Sequence, residues 1–599
     1  MCGIGGELAW GRAPDLDALE RIGVTLAPRG PDGAGEWQES GVALVHRRLK
    51  IIDLSERGDQ PLVDPELGLV IVFNGCIYNH RELRAELVAA GYWFRSSSDT
   101  EVILKAFHHW GAERFVDHLI GMFAFAIVEQ DSGRVVLGRD RLGIKPLYLA
   151  ELDGALRFAS TLPALLAGGG GIDTEIDPVA LHHYLSFHSV VPAPLTILRG
   201  VRKLAPATLM TIEPDGARSE HRYWSSTPTS STPGASDADW EEMTLAALRT
   251  AVRRRMVADV PVGVLLSGGL DSSLIVALLA GEGQRGLATF SIGFADVGGR
   301  RGDEFRYSDL VAREFDTAHE RIEVESAQLL PAIGSAIAAM SEPMVSHDCV
   351  AFHLLSEAVS RRVKVVQSGQ GADEIFAGYS WYPPLASAAG DGAETYMAEF
   401  ADRAHAECSA MVQPRLRLDS DPSRELVERH FATPGASTPL DRALRIDSEV
   451  MLVDDPVKRL DNMTMAWGLE ARTPFLDHEL VELAARSPAE LKLAHGGKGL
   501  LKQISRRLLP NAVIDRPKGY FPVPALSHLE GGVLALVRDV LTPDRVRRRG
   551  LFDPDYVQAL LAEPNEHQTT LEGSKLWQVA LLELWLERHV DAASAVAPV

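Results

Sequence analysis

The chain opens MCGIGG, and the residue best equipped for covalent chemistry is Cys2. Removal of the initiator methionine leaves a thiol and a free α-amine on one residue. An α-amine with a pKa of about 7.7 to 8.0 can act as general base near neutrality, so this nucleophile needs no separate histidine. Residues 73–80, FNGCIYNH, set Asn74 and Gly75 at the end of an apolar run, where a side-chain amide and a backbone N–H can face one oxyanion. Arg48, in HRRLKIIDLS, can grip a carboxylate with two prongs, and Asp99, in SSSDTEVI, can hold an ammonium. Carboxylate plus ammonium describes an amino acid. Each residue also has a purely structural reading: a chance cysteine, a hairpin turn at Asn74-Gly75, a surface charge at Arg48, a helix N-cap at Asp99 with Glu101 behind it. Their joint occurrence behind an N-terminal cysteine favours the chemical one.

A second group lies at residues 260–273, VPVGVLLSGGLDSS, an apolar strand running into a loop of glycines and serines and then the helical LIVALLA. Gly268 and Gly269 let backbone N–H groups approach phosphate oxygens, the helix N-terminus adds its dipole, and Ser267, Ser272 and Ser273 add hydroxyl donors. This is a phosphate cradle without the Gly-Lys-Ser/Thr ending of a Walker A loop. Residues 363–374, VKVVQSGQGADE, repeat the strand-to-loop pattern with Ser368, Gly369 and Gly371 ahead of two carboxylates, Asp373 and Glu374. Asp271 and Asp373 then sit at the C-terminal ends of parallel strands, where open α/β sheets bind ligands, and two such carboxylates suit a Mg²⁺ also held by phosphates. Either aspartate reads equally as a helix cap. Lys502 on its own reads as a solvated helix lysine.

The elements that must carry these residues differ between the two halves. Before residue 225, short β-rich runs such as LGLVIVFNG and GMFAFAIVE alternate with turn signals, which predicts an antiparallel, sheet-rich α+β domain. After residue 239, apolar strands alternate with longer helical patterns, which predicts an α/β domain with a parallel sheet. Between them SSTPTSSTPGASDAD, residues 225–239, has the composition of a solvated linker. The expected domains are therefore 2–210 and 240–590.

With 599 residues, 46% hydrophobic and 24% charged, the composition is that of an ordinary globular chain with a sizeable core. A net charge of −22 argues against a nucleic-acid partner, whose phosphates demand clustered Lys and Arg. The four cysteines, Cys2, Cys76, Cys349 and Cys408, lack the spacing of a metal knuckle or redox pair and read as free thiols in a reducing compartment. No leader or bilayer-spanning run is evident, so a soluble, cytoplasmic chain is expected.

Through CGIGG, APRGPDGAG, HRRLKIIDLS, FNGCIYNH, SSSDTEVI, GMFAFAIVE and RDRLGIKPLY the first half resembles the class II glutamine amidotransferases. That resemblance implies an N-terminal nucleophile fold, a sheet sandwich with flanking helices. It also implies Cys2 as nucleophile, Asn74 and Gly75 as oxyanion hole, and Arg48 and Asp99 as clamps on glutamine, with Cys76 where the family usually has Glu. SGGLDSS resembles the PP-loop ATP pyrophosphatases. With SGQGADE, LDNMTMAWGLEARTPFLD, GGKGLLKQISRRLLP and RPKGYFPVP, the second half is similar to the synthetase domain of the asparagine synthetase family. This implies ATP as substrate, with Leu266, Ile292 and Gly369 around the nucleotide and residues 267–273, Leu270 among them, on pyrophosphate. Asp271 and Asp373 would hold Mg²⁺, and Lys502 the phosphates and reacting carboxyl. Gln370 stands where many members have a Glu associated with adenylate formation.

The expectation is a glutamine-dependent, AMP-forming amidotransferase, possible as a homodimer, in which ammonia released at Cys2 attacks an acyl-adenylate. Cys76, Thr161 and Gln370, with YLSFHSVVPAPL and SWYPPL, look more like the branch that amidates N-acetylglutaminylglutamine, an N-acetylated dipeptide. Asparagine synthesis from aspartate, a small carboxylate, is the alternative.

Overall fold

The computed structural model describes residues 2–39, 41–226, 234–294, 302–517, 526 and 528–592. Two six-stranded sheets make up the first half, and every neighbouring pair in them is antiparallel. One sheet centres on Gly3–Ala9, flanked by Val42–Arg48 and Ala155–Ala159. The other centres on Leu69–Ile77 and Gly121–Glu129. Leu69–Ile77 is apolar along its whole first half because both of its faces are buried. Val70 and Val72 pack with Ile4, Leu44 and Phe158 of the first sheet, while Ile71 and Phe73 pack with Leu83, Val102 and Phe107 of the helices His80–Ala89 and Asp99–Trp110. Helices Leu16–Leu26 and Leu162–Gly168 cover the outer face of the first sheet through Leu19, Ile22 and Leu165. The result is the helix-flanked sheet sandwich expected of an N-terminal nucleophile domain.

The second half holds a five-stranded, all-parallel sheet in the order Ala318–Val324, Ala288–Phe294, Val262–Leu265, Val365–Gln367, Glu470–Arg472. From Val262–Leu265 the chain builds outward on one side, then returns to build on the other. The strand order therefore reverses between Val262–Leu265 and Val365–Gln367, and a crevice opens there at the C-terminal ends of the strands. The loops after these two strands are SGGLDSS and SGQGADE.

Helix Asp237–Arg254 starts inside the segment read as a linker, capped by reciprocal bonds between Ser236 and Asp239. Residues 227–233 of that segment, and Lys518 to Pro524 of RPKGYFPVP, lie outside the described residues. The two halves share a core, since Cys76, Met122 and Ile144 of the first pack in one buried cluster with Leu266, Leu452 and Met465 of the second. Buried ion pairs cross the same seam: Asp461 accepts from Arg29 at 2.8 Å and Lys145 at 3.1 Å, and Lys203 pairs with Asp454 at 2.6 Å. No helix among the described residues is long and apolar enough to cross a membrane.

Candidate active sites

Cys2 immediately precedes the central strand Gly3–Ala9, and Asn74 and Gly75 lie within Leu69–Ile77 of the facing sheet, so the sandwich itself brings them together. The backbone N of Cys2 donates to Asn74 Oδ1 at 3.0 Å. That bond fixes the amide so that Nδ2 points elsewhere; it is buried and has no hydrogen-bond partner among the described residues. A buried donor without a partner is costly unless a ligand completes it, and an oxyanion would. Gly75 admits no side chain, because a Cβ there would lie 2.2 Å from the carbonyl oxygen of Met122. Burial pushes the Cys2 thiol pKa up, against the Leu49 N–H and Arg48. The resting sulfur is thus a thiol that needs a base.

Arg48 and Asp99 line the same pocket as Cys2. The Nη atoms of Arg48 are already bonded to Ser55 O at 2.7 Å, to Asp59, to Ile52 O at 3.4 Å and to Asp53 O. A carboxylate clamp at Arg48 therefore requires exchange of one of these, the long Ile52 contact being the weakest. Asp99 is not the helix cap; Ser98 is, and Asp99 Oδ2 instead accepts from the Ile77 N–H at 3.0 Å. Thr161 caps helix Leu162–Gly168, its hydroxyl accepting from the Ala164 N–H at 3.3 Å. Two residues of the second half, Glu470 and Arg472, also line this pocket. They are separated from Cys2 by most of the sequence and lie in the LDNMTMAWGLEARTPFLD segment, whose likeness gave neither of them a role at the Cys2 pocket.

At the crevice of the parallel sheet lies a cavity of about 620 Å³, within the usual range for small-molecule sites. Leu266, Ser267, Gly269, Asp271, Ser272, Ile292, Ser368, Gly369, Gln370 and Asp373 line it. Gly268 has a positive φ of +75°, and a Cβ there would lie 2.5 Å from the Ser308 backbone N, so the tight turn and the close approach both require glycine. Ser267 and Ser272 hydroxyls lie 3.1 Å apart at the N-terminus of helix Leu270–Gly281. Gly268, Leu270 and Ser273 stay outside the lining; Ser273 is wholly buried and Leu270 packs against the core.

Asp271 and Asp373 converge on one ammonium, that of Lys498, with Nζ 2.7 Å from Asp271 Oδ2 and 2.8 Å from Asp373 Oδ2. Burial disfavours that charge, but the two carboxylates outweigh burial and raise the pKa of Lys498. Lys502, the lysine expected at the reacting groups, does not line the cavity and donates to His495 O at 2.6 Å. Lys498 also stays outside the lining, but Gly496, Gly497 and Lys498 all have positive φ, which turns the chain so that the ammonium of Lys498, and not that of Lys502, meets the two carboxylates before helix Gly499–Ser505 begins. An all-oxygen pair of carboxylates facing a phosphate-binding loop fits Mg²⁺ in donor chemistry.

Residues 243–587 match the family model described as asparagine synthase, and residues 1–224 match a glutamine amidotransferase domain. The chain belongs to the asparagine synthase family. Among its relatives is asparagine synthetase [glutamine-hydrolyzing] 1 of Bacillus subtilis, 30% identical over 97% of this chain and 95% of the relative. A putative asparagine synthetase [glutamine-hydrolyzing] of Mycobacterium tuberculosis is 32% identical over 96% and 94%.

In this asparagine synthase family member the cavity is also lined by Tyr379 and Trp381, stacked at 4.1 Å, and by His347, Asp348, Asp455, Arg459 and Glu572. The aromatic wall comes from SWYPPL and the residues before it. Trp381 Nε1 and Tyr382 Oη both donate to the buried Asp447, at 3.0 and 2.6 Å, which holds that wall in place. Arg459 lies 3.2 Å from Asp455 and 3.7 Å from Asp348.

Proposed function

We propose that this chain hydrolyses glutamine at Cys2 and passes the ammonia to a carboxylate activated by ATP in the second cavity, giving an amide, glutamate, AMP and pyrophosphate. The observation that carries this reading is the shared apolar cluster. Cys76 borders the Cys2 pocket, Leu266 borders the nucleotide cavity, and both belong to one buried core with Met122 and Met465. Ammonia stays nucleophilic only while unprotonated, and a route through apolar side chains keeps water and protons away.

In the first centre the Cys2 α-amine takes the thiol proton as sulfur attacks the side-chain amide carbon. Asn74 Nδ2 and the Gly75 N–H stabilise the oxyanion, ammonia departs, and water hydrolyses the thioester. In the second, the SGGLDSS backbone and hydroxyls cradle the phosphates, and Lys498 stands where charge develops as carboxylate oxygen attacks the α-phosphorus. Mg²⁺ held by Asp271, Asp373 and the phosphates would offset the phosphate charge.

The acceptor is read as a monocarboxylate with amide groups, of the kind of N-acetylglutaminylglutamine. Among the described residues, five carboxylates line the cavity (Asp271, Asp348, Asp373, Asp455 and Glu572); Asp271 and Asp373 are paired with Lys498, and Arg459 is the one arginine in the lining. Arg459 is already paired, so a second carboxylate on the acceptor meets repulsion without a dedicated partner. The Tyr379–Trp381 wall supports a longer, less charged acceptor. Aspartate is the second reading, favoured by the names of the relatives. Release of AMP from ATP, glutamine and equal concentrations of N-acetylglutaminylglutamine or aspartate decides between them. Preference for the dipeptide is expected, and preference for aspartate with asparagine as product would overturn that acceptor.

A further inference from the structure

Outside both sites, two histidines and an aspartate from three helices meet at one point. His182 belongs to helix Pro178–Ser186 of the first half, His405 opens helix His405–Met411, and Asp421 caps helix Pro422–Ala432. His182 Nε2 lies 2.9 Å from His405 Nδ1 and 3.8 Å from Asp421 Oδ1, and one ligating atom from each residue falls within 4.8 Å of the others. Ligands bound at about 2.1 Å around a tetrahedral Zn²⁺ stand about 3.4 Å apart. The two shorter separations bracket that value.

The structural roles of these residues leave ligand positions open. Asp421 Oδ1 accepts from the Ser423 and Arg424 N–H groups at 3.1 and 3.0 Å, which is an N-cap. Both bonds fall on Oδ1, and Oδ2 takes none among the described residues. Ser423 Oγ lies 2.9 Å from His182 Nδ1 and 3.0 Å from His183 Nδ1, and Ser186 Oγ stands 3.3 Å from His182 Nδ1. The Ser423 hydroxyl has one proton, so at least one of the two ring nitrogens must donate to it. With His182 as that donor, its Nε2 presents a lone pair to His405 and Asp421, and the hydroxyl on Nδ1 orients the ring as outer partners orient metal-bound histidines. His405 Nε2 has a similar, longer contact with Ser409 Oγ at 3.5 Å. His182 is buried, while the Asp421 side chain is 20% exposed, which gives an ion a way in from solvent.

We propose that His182, His405 and Asp421 form a structural Zn²⁺ site that staples the first half to the helical layer of the second. Two imidazoles and one carboxylate select Zn²⁺ over Mg²⁺, whose ligands are oxygens. The staple sits behind the nucleotide cavity. Helix Pro178–Ser186 runs on to His188 and Val190, and Phe400 precedes His405; all three line that cavity, and the Asp402 N–H donates to Ser186 O at 2.8 Å between them. A metal at this point holds two walls of the cavity against each other.

The test uses the full-length protein, stripped with a chelator and dialysed against ZnCl₂, with zinc content measured in the unsubstituted protein and in His405→Ala. Asp271, Asp373 and Cys2 offer zinc other ligands in both proteins, so the difference between them is what counts. His405→Ala should hold a single zinc equivalent less per chain. Zn²⁺ should raise the Tm of the unsubstituted protein and leave that of His405→Ala unmoved, since an ion that binds only the folded chain stabilises it. Equal zinc content, or an equal Tm response, would overturn the proposal. If His405→Ala does not fold, Asp421→Asn serves instead, because asparagine keeps the helix cap and removes the charge. It should weaken zinc binding by about tenfold or more, and an unchanged affinity would again overturn the site.

Discussion

Lys498 Nζ donates to Asp271 Oδ2 at 2.7 Å across 227 residues of sequence, and so locks the Gly-rich turn at 496–498 onto the SGGLDSS loop. Lys498→Met should lower the rate of AMP formation more than a hundredfold, a loss of about 3 kcal/mol of transition-state stabilisation. Lys502→Met should stay within about threefold of the unsubstituted rate. Equal losses in the two variants would contradict the assignment of the reacting lysine.

Asp271→Asn and Asp373→Asn should each reduce AMP formation by about a hundredfold or more while glutamine hydrolysis continues, because each removes one charge facing the phosphates in one domain only. Measuring AMP and glutamate separately checks this. Normal AMP release in both variants would place the metal elsewhere.

Asp461 is the shared partner of two buried cations from the other domain, Arg29 and Lys145. Asp461→Asn leaves both without a counter-charge and should lower stability by about 3–5 kcal/mol, the usual cost of breaking a buried pair on one side. A urea unfolding series reads this out, and a shift of under about 1 kcal/mol would show that the pairs contribute little.

Glu374 is buried beside Asp373 and accepts from Tyr379 Oη at 2.7 Å; burial first, then the Asp373 charge, raise its pKa from 4.5 to about 7. A raised folded-state value means stability that is fully present below pH 4.5 and is lost as pH rises through about 7. Glu374→Gln, neutral throughout, should therefore gain thermal stability relative to the unsubstituted protein between those limits. A Tm difference that is flat across the window would contradict it.

Much of this was legible in the sequence because the chemistry sits in short contiguous segments. Asn74-Gly75 continues an apolar run within one strand, and SGGLDSS follows another strand, so each functional segment is written next to the apolar run that positions it. What could not be read depends on backbone turns and distant contacts. Lys498 and Lys502 share one helical spacing, and only the positive φ angles at 496–498 decide which ammonium turns inward. Arg48 looked available for a carboxylate, but its donors serve the loop at 52–59, which folds back over it. Glu470 and Arg472 line the Cys2 pocket only because the edge strand of the parallel sheet abuts it.

The central claim is that one chain runs two separable chemistries joined by ammonia, and the Cys2→Ala variant assayed with each nitrogen donor tests it most directly. With ATP, Mg²⁺ and the preferred acceptor, the variant should form amide and AMP from added ammonia at close to the unsubstituted rate and form none from glutamine. Amide formation from glutamine in Cys2→Ala would contradict the account.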